Sequence, residues 1–265
     1  MEQSARGFTL IEMSIVLVVI GLIVGGVLVA RDMIKSAQNR AQVTQVEQFQ
    51  TATNTFQLKY SALPGDLPGS VAASLGFVPR AGGVSGRGDG DGIIEGYDYF
   101  ASQTFHTFQN GETILFWEDL SQEHLIEGTF NTATDGPFGA TNVSPYLPAA
   151  KIERNNYVYV WTGSPYQNQG AAVGTQGYNY FGISASPTIV ESGGGGDMTS
   201  SLGLAVAEAY AIDTKVDDGL PTSGRVQARY INGWWCPNLG APFGRAAGLR
   251  LPVVALDSCA CATQS

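Results

Sequence analysis

The chain has 265 residues, a formal net charge of −9 and a pI near 4.6, enough length to bury a hydrophobic core without cysteine staples. The acidic balance excludes a surface built to neutralise phosphates, so nucleic acid is not an expected partner. Only 14% of residues are charged, and the remainder is rich in Gly, Ser, Thr, Asn and Gln, the composition of an exported protein with long polar loops.

The N-terminus departs most from a soluble domain. Met1 to Gly7 is short and polar, and Phe8 then opens an apolar run that reaches Ala30. Those 23 residues suffice for a helix to cross a hydrocarbon core about 30 Å thick. Glu12 is the one ionisable group in the run. A carboxylate there is costly in lipid and needs a partner.

A cleaved secretory signal peptide fits poorly, because the apolar core is too long and ends in Arg31-Asp32 without a small-residue cut site. The helical pattern also continues. From Val27 to Tyr60 there is no Gly or Pro, and Val46, Phe49, Thr53, Phe56 and Tyr60 recur at alternating steps of three and four. Such a stripe is one face of an amphipathic helix. The expectation is a rod from Phe8 to Tyr60, apolar all round at first and striped in its second half, where a head domain covers it.

The run Arg6-Gly7-Phe8-Thr9-Leu10-Ile11-Glu12 resembles the processing site of type IV prepilins. The resemblance implies that a prepilin peptidase cuts between Gly7 and Phe8 and methylates the new N-terminal Phe8. It also implies that Glu12 pairs with the free amine of a neighbouring subunit in an assembled filament, which is how a charge becomes tolerable in an apolar setting. Gly21 falls where many pilins carry a helix-loosening glycine. Val29 stands where major pilins commonly have proline, and Gly25-Gly26 supplies an alternative weak point.

The expected organisation is a leader over 1–7, a transmembrane and assembly helix over 8–30, an amphipathic continuation over 31–60, and a globular head over 61–265. Ser61 to Gly69, with Pro64 and Pro68, ends the rod. The head carries 19 of the 23 acidic side chains. Within it, Glu112 to Glu127 has helical spacing and stops at Gly128, and the Ala-rich stretch from Leu202 to Ile212 reads as a second helix. Tyr157 to Trp161, Tyr178 to Ile183 and Arg225 to Ile231 read as strands. The fold class is therefore α+β, with a small antiparallel sheet packed on a long helix, in agreement with the pilin fold.

Two acidic segments could carry chemistry. In Gly88-Asp89-Gly90-Asp91-Gly92-Ile93-Ile94-Glu95-Gly96-Tyr97-Asp98, an EF-type loop would use Asp89, Asp91, Glu95 and Asp98 for calcium, although Arg87 occupies the first ligand position. A solvated Asp-Gly turn fits the same residues. Similar runs occur in large pilin-like proteins that share the Trp117-Glu118-Asp119-Leu120 and Leu125-Ile126-Glu127-Gly128 patterns. The second segment, Ala211 to Pro221, resembles the segment of pilin-like and pseudopilin heads in which a helix ends in an Asp-Asp-Gly turn. There Asp213, Asp217 and Asp218 either share a calcium ion or form a solvated turn with Lys215 as partial counter-charge.

Three cysteines, Cys236, Cys259 and Cys261, suit one disulfide in an oxidising compartment. Cys259 and Cys261 are too close in sequence to join without strain, so Cys236 is expected to pair with Cys259 or Cys261. An enzyme is not expected. His106 and His124 are the only histidines and neither has metal-ligand spacing, while Gly193 to Gly196 lacks the Lys-Ser/Thr of a phosphate loop and reads as a flexible loop. Trp234-Trp235 reads as core or as an adhesive surface.

The sequence thus points to a structural subunit of a pilus or secretion pseudopilus. The alternative is a minor pilin whose large head is an adhesin or ligand-binding module at a filament tip. Expected partners are prepilin peptidase, other pilin subunits, the inner-membrane assembly platform and membrane lipid. The resemblance places the chain in a bacterial inner membrane before assembly, with its leader cytoplasmic and its head periplasmic or external.

Overall fold

The computed structural model describes residues 8–83, 86–96, 110–130, 139–152, 155–162, 179–192, 195–201, 203–220, 224–229 and 248–252. Helix α1 is a single run of 51 residues, Leu10–Tyr60, about 77 Å long at about 1.5 Å per residue. It begins at Thr9, whose backbone is extended, and ends at Ser61, which takes the left-handed conformation and returns its N–H to the Gln57 carbonyl. The turn at Ser61 thus closes the rod before either proline is reached.

The two halves of α1 have opposite surroundings. Every large apolar side chain from Phe8 to Ile34 is exposed, whereas Val46, Phe49, Thr53 and Phe56 are buried and Tyr60 packs edge-on against Phe77 at 5.2 Å between ring centres. The stripe extends N-terminally through polar residues that its apolar spacing does not mark. Gln42 is fully buried, its Oε1 accepting the Lys151 N–H at 2.7 Å and the Ile152 N–H at 3.3 Å. Gln45 Nε2 donates to the Ala149 carbonyl at 2.9 Å. These amides hold the 149–152 backbone against the rod where head coverage starts.

Among the described residues, five strands form one antiparallel sheet: β1 (Asn156–Thr162), β2 (Asn179–Ser192), β3 (Gly195–Ser201), β4 (Gln227–Arg229) and β5 (Gly248–Pro252). The first half of β2 lies between β1 and β5, in register Phe181 with Val160 and with Leu251, and its second half pairs with β3, Ile189 opposite Met198. β4 adds at the far side of β5. Helix α2 is Gly69–Leu75, α3 is Glu112–Gln122 and α4 is Val206–Val216. The core closes where α1, α3 and β2 meet: Phe49 stands against Trp117 at 5.0 Å, and Phe181 lies 6.0 Å from Phe49, Phe116 and Trp117.

Several boundaries differ from the sequence expectation. Helix α3 ends at Gln122, not at Glu127, because Leu125 N–H bonds the Leu120 carbonyl and His124 N–H bonds that of Ser121. With His124 at φ +54°, this is the Schellman closure, made with a histidine where glycine is usual. Helix α4 starts at Val206 and runs four residues beyond Ile212, and β2 runs on to Ser192. Of the glycine run expected to be a flexible loop, Gly195 and Gly196 are strand residues opposite Ser192 and Glu191. β4 is Gln227–Arg229 among the described residues, starting two residues later than expected, and α2, β3 and β5 were not anticipated.

Candidate functional site

Three places concentrate the chemistry. The first is the start of α1. Thr9 is the N-cap residue, and its Oγ1 accepts the Glu12 N–H at 3.3 Å while Glu12 Oε2 accepts the Thr9 N–H at 2.8 Å and the Thr9 hydroxyl at 2.9 Å. This reciprocal capping box gives the lone carboxylate two donors within its own chain. Its signature, Thr-x-x-Glu, was readable in the sequence. Phe8 is exposed, and Gly7 lies outside the described residues.

The second is the Asp-Gly loop. Its organising residues are two buried carboxylates outside it, which the sequence reading did not single out. Asp66, in the turn after the rod, accepts the Gly90 N–H at 2.7 Å and the Gly92 N–H at 2.8 Å. Glu112, at the start of α3, accepts the Gly88 N–H at 2.7 Å and the Glu95 N–H at 3.1 Å. Burial pushes the Glu112 carboxyl well above its usual range, and the charge of Asp66 adds to that rise. Asp66 is itself pushed up to about 7, chiefly by burial and partly opposed by the two glycine amides. Of the predicted ligands, Asp89 and Asp91 come together with Asp66, their oxygens mutually within 4.8 Å. Glu95 is buried and does not belong to that group. Asp98 lies outside the described residues.

A buried ion pair ties the turn after the rod and Arg80 to α3. Arg80 Nη2 donates to Asp119 Oδ1 at 2.7 Å and Nη1 to Oδ2 at 3.2 Å, with both side chains fully buried. Nη1 also reaches the Gly65 carbonyl at 2.7 Å, and the Gly65 N–H returns to Asp119 at 2.7 Å. Gly65 sits at φ +83°, and a Cβ there would stand 2.3 Å from the Glu112 carbonyl oxygen. Only glycine lets the post-rod turn approach α3 so closely.

The third place is the C-terminal end of α4. Asp213, Asp217 and Asp218 converge there, with one oxygen from each mutually within 4.8 Å. Asp213 is buried and Lys215 is exposed. Among the described residues, no Lys or Arg forms an ion pair with Asp213 or Asp217. Asp217 Oδ2 accepts the Arg225 N–H and, at 3.4 Å, that of Val226, while Asp218 Oδ1 accepts the Leu220 N–H at 2.8 Å.

The predicted disulfide between Cys236 and Cys259 or Cys261 lies outside the described residues, as do His106, Trp234 and Trp235. No curated protein and no solved structure matches the chain. Residues 3–28 match the family model of the prokaryotic N-terminal methylation motif, and this segment is therefore the type IV pilin and pseudopilin signal.

Proposed function

We propose that the chain is a structural, pilin-like filament subunit, cut by prepilin peptidase between Gly7 and Phe8 and methylated on Phe8. The observation that carries this reading is the uncovered apolar half of α1 directly behind the methylation motif. From Phe8 to Ile34 the large side chains find no cover among the described residues, although α1 is one continuous helix with the covered half. Lipid covers that surface before assembly, and the equivalent helices of other pilin subunits cover it afterwards. A helix long and apolar enough to span a bilayer suits both states. The inner-membrane assembly platform is the partner that would move the subunit from one to the other, with the head on the periplasmic or external side.

In this reading Glu12 is a docking group. Its capping box holds the carboxylate in a fixed orientation in the first turn, ready to meet the amine that cleavage creates on a neighbour. Mass spectrometry of mature protein should find N-methylated Phe8 at the N-terminus, and Gly7→Val should leave the precursor uncut. Glu12→Gln retains an acceptor for the Thr9 N–H and removes the charge. It should insert and fold yet enter filaments poorly. Normal incorporation of Glu12→Gln, or a mature N-terminus at Met1, contradicts the proposal.

A further inference from the structure

Asp213 presents a problem that the described residues do not solve. Its side chain is 1% exposed, and neither carboxylate oxygen has a hydrogen-bond partner among the described residues. The Gly219 amide bears on the carboxylate electrostatically without meeting hydrogen-bond geometry. Burying an ionised carboxylate unpartnered is among the most expensive arrangements a fold can make. Here two more carboxylates, Asp217 and Asp218, are brought to the same point, where like charges add to the cost.

We propose that the C-terminal end of α4 is a calcium site, in which Asp213, Asp217 and Asp218 each give a carboxylate oxygen to one ion. The dimensions fit. Ligand oxygens on a calcium ion stand about 2.3–2.6 Å from it, so oxygens on one coordination sphere are at most about 4.6–5.2 Å apart. The three oxygens are mutually within 4.8 Å. The arrangement is also built rather than incidental. Gly224 lies at φ +71°, a conformation that favours glycine, and with no Cβ there the 224–226 backbone lies close against the Asp217 carboxylate. The Arg225 and Val226 amides donate to Asp217 Oδ2 and hold its carboxylate in place beside the other two. The remaining coordination falls to backbone carbonyls and water. Magnesium requires a near-ideal octahedron at about 2.0–2.1 Å and keeps its water, which three carboxylates on one short turn serve poorly.

The site is independent of the filament reading, since an uncut precursor carries it unchanged. The test uses the full chain in detergent, stripped with chelator and dialysed, then titrated with CaCl2 by calorimetry and followed by thermal melting. The expected result is one saturable site per chain that raises the melting temperature. Asp213→Asn should abolish it, and Asp89→Asn, in the other acidic loop, should not. The melting curves should also cross. In chelator Asp213→Asn melts at or above wild type, because it removes an unpaired buried charge, and in calcium it melts below. Should Asp213→Asn fail to fold, the exposed Asp218→Asn serves instead, weakening calcium binding by about tenfold or more through ligand charge while melting at or above wild type in chelator, because one of the crowded like charges is gone. Absence of a saturable isotherm up to about 10 mM CaCl2, the weak limit of extracellular calcium modules being about 1 mM, overturns the proposal. So does an isotherm that survives Asp213→Asn or is unweakened in Asp218→Asn, one lost in Asp89→Asn, or equal binding of MgCl2.

Discussion

Replacing Arg80 by Met should be among the most damaging single changes in the head. The side chain is fully buried and gives Asp119 a two-pronged contact, while also bonding the Gly65 and Val78 carbonyls. Met fills much of the volume but leaves Asp119 with the Gly65 amide alone. Breaking one side of a buried pair costs about 3–5 kcal/mol, or a fall in melting temperature of about 6–20 °C for a chain of this size. Asp119→Leu should cost a similar amount by stranding the guanidinium. The double variant strands neither charge, so its loss should fall short of the sum of the two by about 2 kcal/mol or more. The sign with pH also follows. Burial already raises the Asp119 carboxyl above 3.8, against the pull of Arg80. Without Arg80 the rise is larger, and a raised carboxyl costs stability above its unfolded value and nothing well below it. The Arg80→Met deficit should therefore be largest near neutrality and shrink as the pH falls toward about 4. Chemical denaturation of the full chain in detergent, monitored by fluorescence and covering both single variants and the double, measures all of this. Single losses below about 1 kcal/mol, or strict additivity, would refute the reasoning.

His124→Gly should stabilise the head by about 1 kcal/mol, since it relieves a side chain held at positive φ in the closure of α3, and His124→Val should act in the opposite direction; denaturant midpoints decide. Phe56→Ala should cost about 3–5 kcal/mol, because the ring is fully buried between Tyr60 and Phe77, and an effect under about 1 kcal/mol would show that the rod is not packed into the head there. Exported protein should show one free thiol on titration, with reductant lowering stability by about 3–4 kcal/mol for a loop of roughly 25 residues. Three free thiols would remove the disulfide.

What could be read from the sequence divides along physical lines. The covered stripe of α1 was legible because Val46, Phe49, Thr53 and Phe56 repeat at helical spacing and their burial follows from hydrophobicity alone. Its continuation through Gln42 and Gln45 was not, since these side chains are buried for their hydrogen bonds to a backbone more than 100 residues away. The end of α3 was misplaced for a related reason. Gly128 is the expected stop signal, but the bonds that close the helix pass through His124, whose residue type gives no hint of a left-handed backbone. Arg80 and Asp119 are 39 positions apart and belong to no periodic pattern. Asp213, Asp217 and Asp218 were legible as a group because a helix end draws them together. That Asp213 is buried without a partner depends on packing, which the linear order does not record.

The glutamine clamp on α1 also determines where the molecule bears load. Above Gln42 the rod is gripped by side-chain amides and then by a ring of aromatic contacts, so this stretch moves as one rigid piece with the head. Below Gln38 every described α1 side chain is exposed, and Gly21, Gly25 and Gly26 lie there with no described residue beside them, so within the subunit the helix's own backbone bonds resist stretching. Tension applied along the rod will therefore lengthen the glycine-bearing half first, with the head still folded. A filament built from such subunits would have its compliance in its apolar centre, while the surface it shows to the outside stays unchanged.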